Sequence, residues 1–250
     1  LEIYTGKHPG VNYPVVMGHE STGVIVTAGE KVTDLTPGQH VIINPIITCG
    51  TCDSCKRGNE NLCLNAGLFG REVNGSLSQF VCLESKYAHV LPANISLSEA
   101  TIIETLATVL HAQNRAELAN NESVVVLGQG TAGLLHTQLA LNRGASNVIG
   151  ISRSNWKLDL AKRMGAQHVI SADIEDSVDA VIQLTGGLGA DLIIDTTGAA
   201  TALKAGINML RPGGRILAFS VSHKFLKDFS AFKTSIRSKI YWEVPTHVLN

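Results

Sequence analysis

With 250 residues, 44% of them hydrophobic, the chain has material for one large domain or two ordinary ones around a well-buried core. Its 20 basic and 21 acidic residues, a formal net charge of −1, form neither the basic stripe of a nucleic-acid binder nor the acidic tail of a disordered segment. No apolar run approaches the roughly 20 residues of a membrane span and no secretory signal is visible, so a cytoplasmic protein acting on small molecules is expected.

Residues 1–17, punctuated by Gly6, Pro9, Gly10 and Pro14, read as irregular chain approaching a strand. Gly18-His19-Glu20 follows, then Gly23 and the strand-like Val24-Ile25-Val26. Taken alone, His19 reads as a structural or surface histidine and Glu20 as a solvated charge. Pro37-Gly38-Gln39-His40 is a turn feeding a strand over Val41–Ile43.

Cys49, Cys52, Cys55 and Cys63 place four of the five cysteines within fifteen positions. In a chain without a secretory signal, such clustering points to a metal more than to disulfides. Four thiolates suit tetrahedral Zn²⁺ with no open position, hence a structural ion, ahead of an iron–sulfur cluster or a disulfide pair. Cys82, inside the apolar Phe80–Leu83, reads as a buried small hydrophobe.

Strands are expected over Leu77–Leu83 and Lys86–Leu91, ending at Pro92. Ser96 or Ser98 then caps a helix whose spacing runs over Ile102–Leu118 and carries Glu104, Thr108 and His111. Glu104 is either a helix N-terminal charge or a site group, and His111 reads as structural.

The most informative stretch follows. Val124–Leu127 is a β-branched run, Gly128-Gln129-Gly130-Thr131-Ala132-Gly133 a glycine turn, and Leu134–Arg143 a helix ending at Gly144. Strand, GxGxxG and helix form a dinucleotide fingerprint. Gly128 makes the tight turn, Gly130 lets backbone amides approach a pyrophosphate, and Gly133 lets helix and strand pack closely. The helix N-terminus, with Thr131 and Ala132, then faces the phosphates.

The second strand, Asn147–Ile151, ends in Ser152-Arg153 where an NAD site places Asp or Glu. A guanidinium beside a small hydroxyl suits a 2′-phosphate, so NADP is favoured over NAD. Lys157 reads as a helix-surface lysine. Further alternation gives a helix over Asn155–Met164, a strand at Val169-Ile170, a helix over Asp176–Leu184 and a strand over Asp191–Asp195. A helix over Thr201–Leu210, the turn Arg211–Gly214 and a strand over Arg215–Val221 complete it. This pattern predicts an α/β fold with a doubly wound parallel sheet, whose ligands bind at the carboxyl ends of the strands. Thr196, Thr197 and Gly198, and Phe219, Ser220 and Val221, therefore join the cofactor site. Ser222–Asn250 shows weaker periodicity.

Gly18-His19-Glu20, the cysteine spacing, Glu104-Thr105-Leu106-Ala107 leading to His111, and the Gly128 turn occur in one order. Together they resemble the zinc-dependent medium-chain alcohol and polyol dehydrogenases, in the sorbitol and threonine dehydrogenase-like branch, over nearly the whole chain to about Val221. The resemblance implies a partial GroES-like, β-rich catalytic domain with a structural zinc lobe over 1–104 and a Rossmann NAD(P)-binding domain over 105–235. Residues 236–250 would start a segment returning to the first domain. It also implies a catalytic zinc with His19 as ligand, Glu20 as adjacent or alternate ligand and Glu104 in the remaining position, with Thr108 near the nicotinamide.

The implied activity is hydride transfer between an alcohol, polyol or ketone and NAD(P), in a homo-oligomer with no nucleic-acid or membrane partner. In the family, a first cysteine ligand and the hydroxyl of a proton relay lie upstream of the segment matching Leu1–Gly10, so truncation at both ends is expected. Two other readings use the same scaffold: a zinc-independent quinone or enone reductase, and a non-catalytic NADP- and zinc-binding protein.

Overall fold

The computed structural model describes residues 3–6, 11, 13–220 and 239–242. The chain divides after Thr105 into two compact units, the second running to Val244. Among the described residues, no helix is long and apolar enough to cross a membrane.

The first unit is built of short strands. β1 (Thr22–Val24), β2 (His40–Ile43) and β5 (Ala88–Val90) form an antiparallel sheet in the order β1-β2-β5, while β3 (Ile46–Ile47) pairs antiparallel with β4 (Gly67–Leu68). The Pro37-Gly38 turn has Gly38 at φ +91°, and its amide bonds to Ile25 O, closing the hairpin between β1 and β2. Leu35, Val41, Phe69, Tyr87, Leu91 and Ala100 form the buried interior, with Phe69 and Tyr87 edge to face at 5.4 Å. A one-turn helix α1 (Asp53–Lys56) sits inside the cysteine run.

Ser96 caps the short α2 (Leu97–Ala100) through a reciprocal box with Glu99. The main helix, α3 (Ile103–Arg115), starts separately, so the single helix expected from a Ser96 or Ser98 cap through Leu118 is two elements. The strand expected over Leu77–Leu83 does not form. The amides of Ser76 and Leu77 bond back to Gly18 and Met17, and beyond them the run finds no ladder partner among the described residues. Leu77 and Phe80 are consequently exposed, and Cys82 is an exposed free thiol rather than a buried one.

The second unit alternates strictly: β6 (Ser123–Leu127), α4 (Thr131–Asn142), β7 (Asn147–Ser152), α5 (Asn155–Arg163), β8 (His168–Ser171), α6 (Ser177–Leu184), β9 (Ala190–Asp195), α7 (Ala200–Met209), β10 (Leu210–Ala218) and β11 (Lys239–Trp242). All strand pairs are parallel, in the order β11-β10-β9-β6-β7-β8. The sheet thus takes in residues past the boundary expected at 235. The segment expected to return to the first domain at 236–250 has its described part, Lys239–Trp242, in this sheet; its other residues and Val221 lie outside the described set. The turn expected over Arg211–Gly214 survives as a register irregularity inside β10.

Alternate side chains of the buried strands serve the two faces of the sheet. Val125, Leu127, Ile149, Ile151, Ile193 and Ile216 pack with Val181, Leu203 and Met209. Val124, Val126, Val148, Leu192, Ile194 and Leu217 pack with Ala112, Ala116 and Ala140. At the amino ends of the strands, Arg215 grips the Glu122 carboxylate with both Nη groups and donates its Nε–H to Ala116 O at 2.9 Å. Asp191 accepts from Ser123 N and Oγ and pairs with Arg211 at 2.6 Å.

His136 on α4 is fully buried, its Nδ1 3.1 Å from Gln113 Nε2 and its ring edge-on to Phe219. Burial pulls its pKa from 6.5 to about 3, so the folded chain resists a proton that the unfolded chain accepts. This contribution to stability is complete above the unfolded value and is lost as pH falls towards the folded one. Denaturant unfolding should show about 2 kcal/mol less stability at pH 5 than at pH 7 from this group, and His136→Leu should flatten that slope. A slope unchanged in His136→Leu would refute the assignment.

Candidate functional site

The parallel sheet changes direction between β6 and β9: from β6 the chain winds to β7 and β8, and from β9 to β10 and β11 on the other side. Ligands of such sheets bind outside the carboxyl ends of the strands at this point. Leu127 pairs with Asp195, so the two strands end level and the glycine turn meets the Thr196-Thr197 corner. Thr196 Oγ1 donates to Leu127 O at 2.9 Å and contacts Gly128 O at 3.2 Å.

The three glycines have distinct constraints. Gly128 has φ +87°, and a Cβ there would lie 2.7 Å from Thr196 Oγ1. A Cβ on Gly133 would strike Gly128 O at 2.0 Å, so helix and turn touch backbone to backbone. A Cβ on Gly130 would meet nothing within 4 Å: the space above it is open. Gly130 is also the N-cap of α4, with no side-chain cap, so the amides of the first turn, at Thr131, Ala132 and Gly133, present their partial positive charge outward.

Gln129 was not singled out by sequence. It is buried and turned inward, donating to Val126 O and accepting from Thr137 Oγ1, with its amide against Gly150 of β7. It pins the underside of the turn. Asp195 is likewise buried, and it accepts from Thr197 N and Oγ1. Burial raises its pKa while the Thr197 bonds oppose the rise. Gly198 follows at φ +67°. Phe219 donates its amide to Asp195 O, and Ser220 follows it at the end of β10.

At the end of β7, Ser152 Oγ accepts from Ser154 N, 3.2 Å away, and turns the chain into α5. Arg153 is exposed, and its guanidinium has no carboxylate partner among the described residues. Nearby Lys157 lies over the Trp156 ring at 5.4 Å.

In the first unit, the four cysteine sulfurs lie within 4.8 Å of one another. Their separations are 3.5 Å for Cys52–Cys55 and Cys63–Cys49, 3.9 Å for Cys52–Cys63 and 4.0 Å for Cys49–Cys55. A tetrahedron with zinc–sulfur bonds of about 2.3 Å has edges of about 3.8 Å, so the cluster fits a four-thiolate ion. Backbone amides already point at the sulfurs, from Cys52 to Cys49 Sγ at 3.4 Å and from Asn65 to Cys63 Sγ at 3.3 Å. Hydrogen bonds from the Thr51 and Cys52 backbone lower Cys49 to about 5, whereas burial pushes Cys55 up to about 12. Without a cation the four cannot all ionise; a divalent ion removes that conflict.

Among the described residues, those thiols are the one group of three or more metal-ligating side chains that converge this closely. His19, Glu20 and Glu104 share the first unit but do not form so tight a set. They are linked through Glu20. Thr105 Oγ1 donates to Glu20 Oε1 at 2.8 Å, and burial together with the Glu20 charge pushes Glu104 up to about 6. Burial keeps His19 neutral, opposed by Glu20 and assisted by Arg71. An imidazole and two carboxylates are donor types that a divalent cation takes, but among the described residues their ligand atoms do not converge as the four sulfurs do. Thr108 and His111 lie further along α3, both exposed.

Two family models match the chain: an alcohol dehydrogenase GroES-like domain over residues 1–93 and a zinc-binding dehydrogenase over residues 132–241. Sorbitol dehydrogenase of Halalkalibacterium halodurans is 32% identical over 262 residues, covering 100% of this chain and 76% of its own length. D-xylulose reductase A of Aspergillus oryzae is 36% identical over 209 residues, 82% of this chain; the match spans only 58% of that relative's length. Among solved structures, a Sinorhizobium meliloti 1021 protein described as a zinc-binding dehydrogenase and bound to NADP superimposes with a TM-score of 0.84. It is 26% identical, with 99% of this chain and 75% of that one covered. An Escherichia coli CFT073 protein, described as a short chain alcohol dehydrogenase and complexed with NADH, gives 0.85 at 27% identity, covering 96% and 70%.

Elemental analysis of the purified chain should find zinc held by the four cysteines, and Cys63→Ser should release it; retention of the full zinc content would remove that site. The glycine geometry predicts a split between two substitutions. Gly130→Ala should melt close to the parent, whereas Gly133→Ala should lose about 3 kcal/mol or fail to fold, because its methyl has no space. Equal destabilisation would contradict the packing described.

Proposed function

The chain belongs to the zinc-binding dehydrogenase family that carries an alcohol dehydrogenase GroES-like domain, and on that premise we propose that it takes part in hydride transfer between an alcohol or polyol, or the corresponding ketone, and NADP. The observation that carries this reading is the end of the parallel sheet where β6 and β9 diverge. There an uncapped helix N-terminus and an open Gly130 face outward beside the Thr196 corner. In this reading, the amides of Thr131, Ala132 and Gly133 hold the pyrophosphate. Thr196, Thr197, Gly198, Phe219 and Ser220 line the path of the nicotinamide half, and Thr108 contacts the ring.

The four cysteines hold a structural zinc that fixes the loop from Cys49 to Cys63. His19, Glu20 and Glu104 would hold a second zinc. When bound, that ion supplies Lewis acidity to the substrate oxygen, and the nicotinamide supplies the hydride acceptor. The chain's own residues tune this centre. Thr105 fixes one oxygen of Glu20, and burial, with the Glu20 charge second, pushes the Glu104 carboxyl up to about 6, a rise that a cation beside it would oppose. His19, kept neutral by burial, leaves a nitrogen lone pair for coordination.

The preference for NADP rests on Ser152 and Arg153. Since similar folds are solved with either dinucleotide, the fold does not choose between them. An exposed, uncommitted guanidinium at the end of β7, where a carboxylate would repel a 2′-phosphate, favours the phosphorylated form. Fluorescence titration should show NADPH binding about tenfold or more tightly than NADH, the worth of one charge-assisted contact, with Arg153→Ala removing the difference. Equal affinities in the parent chain would sink the NADP assignment.

A further inference from the structure

One buried charge in the first unit has no role in the reading above. Arg71 is 4% exposed. Its Nε donates to Glu72 Oε1 at 2.6 Å, and the other oxygen of Glu72 accepts from Leu68 N at 2.8 Å. Neither Nη has a hydrogen-bond partner among the described residues, and neither is among the buried atoms left without one, so both reach solvent-accessible space. A guanidinium stays charged and offers five donors, so with one of them used on Glu72 the other four are open to an incoming acceptor.

Three glycines determine where that guanidinium sits. A Cβ on Gly70 would lie 2.6 Å from Gly18 N, and one on Gly75 would lie 2.1 Å from Gly18 O and 2.7 Å from Gly70 Cα. Gly18 and Gly70 have φ +100° and +84°. The amides of Gly75, Ser76 and Leu77 bond to Val16, Gly18 and Met17, and Asn74 Oδ1 accepts from Val16 N. This backbone knot welds residues 16–18 to 70–77. His19 and Arg71, the residues following two of its glycines, are held as neighbours, near enough for the Arg71 charge to act on the imidazole.

We propose that Arg71 anchors an anionic group of the substrate. The substrate class would then be a hydroxylated compound bearing, besides the reacting hydroxyl, a carboxylate or a phosphate monoester that accepts from both Nη groups as a planar fork. The inference rests on the hydride-transfer reading for the identity of the site and adds the chemistry of what enters it.

The test is calorimetric titration of the zinc-loaded full chain with D-gluconate, sorbitol 6-phosphate and sorbitol, alongside NADP reduction with each. At least one anion should bind about tenfold or more tightly than sorbitol, the worth of a charge-assisted contact. Gluconate in the lead assigns a carboxylate, and the phosphate ester in the lead assigns a phosphate. Arg71→Leu should abolish the advantage, and Glu72→Gln, which removes the charge that neutralises Arg71, should increase it several-fold. Sorbitol binding as well as both anions, no binding of any of the three, or an anion advantage that survives Arg71→Leu would each overturn the proposal. If Arg71→Leu does not fold, Glu72→Gln decides, and an unchanged or weaker anion affinity overturns it. Failure of the dehydrogenase reading is distinguishable: anions would still bind in an Arg71-dependent way while NADP is reduced with none of the compounds.

Discussion

The level pairing of Leu127 with Asp195 at the ends of β6 and β9 is the constraint on which the second unit depends. It brings the Gly128 turn against Thr196 and Thr197, leaving room for a hydroxyl oxygen and no room for a Cβ. The same contact explains why Gly133 must be glycine, since the helix leaves the turn with its backbone against Gly128 O. Gln129 and Asp195 support the turn from beneath, each buried and each hydrogen-bonded, so the amides facing outward are set by groups that face inward.

Backbone crowding organises the first unit in the same way, though with less regular structure to rely on. Its strands are three or four residues long at most, too short to position a site by themselves. The work falls to the Gly18–Gly70–Gly75 knot and to the cysteine loop, where amides aim at sulfur before any ion is considered. Small loop-rich units of this kind gain order from such staples because a modest apolar interior cannot supply it.

Electrostatically the two units differ. The second pairs charges at the amino ends of the strands, Arg215 with Glu122 and Arg211 with Asp191, and presents backbone amides, hydroxyls and the exposed Arg153 at the ligand end. The first concentrates groups whose needs are only partly met: two carboxylates repelling each other at Glu20 and Glu104, four thiols that cannot all ionise, and a guanidinium paired with Glu72 through one of its five donors. Such imbalance destabilises an empty site and favours whatever ion or anion relieves it.

The sequence by itself determined the elements of the second unit and the cysteine site, because both are written in local spacing. The strand–turn–helix period identifies the fingerprint, and four cysteines in fifteen positions meet within one loop. Only tertiary structure decided the rest. Leu77–Leu83 has strand composition but its first amides are taken by residues 16–18, and Cys82 is exposed for the same reason. Lys239–Trp242 joins the sheet through pairing with β10, which no local pattern announces. Arg71 looks like an ordinary charge in a glycine-rich turn. Its burial beside His19 depends on glycines more than fifty positions apart approaching backbone to backbone, and long-range contact of that kind leaves no period in the chain to read.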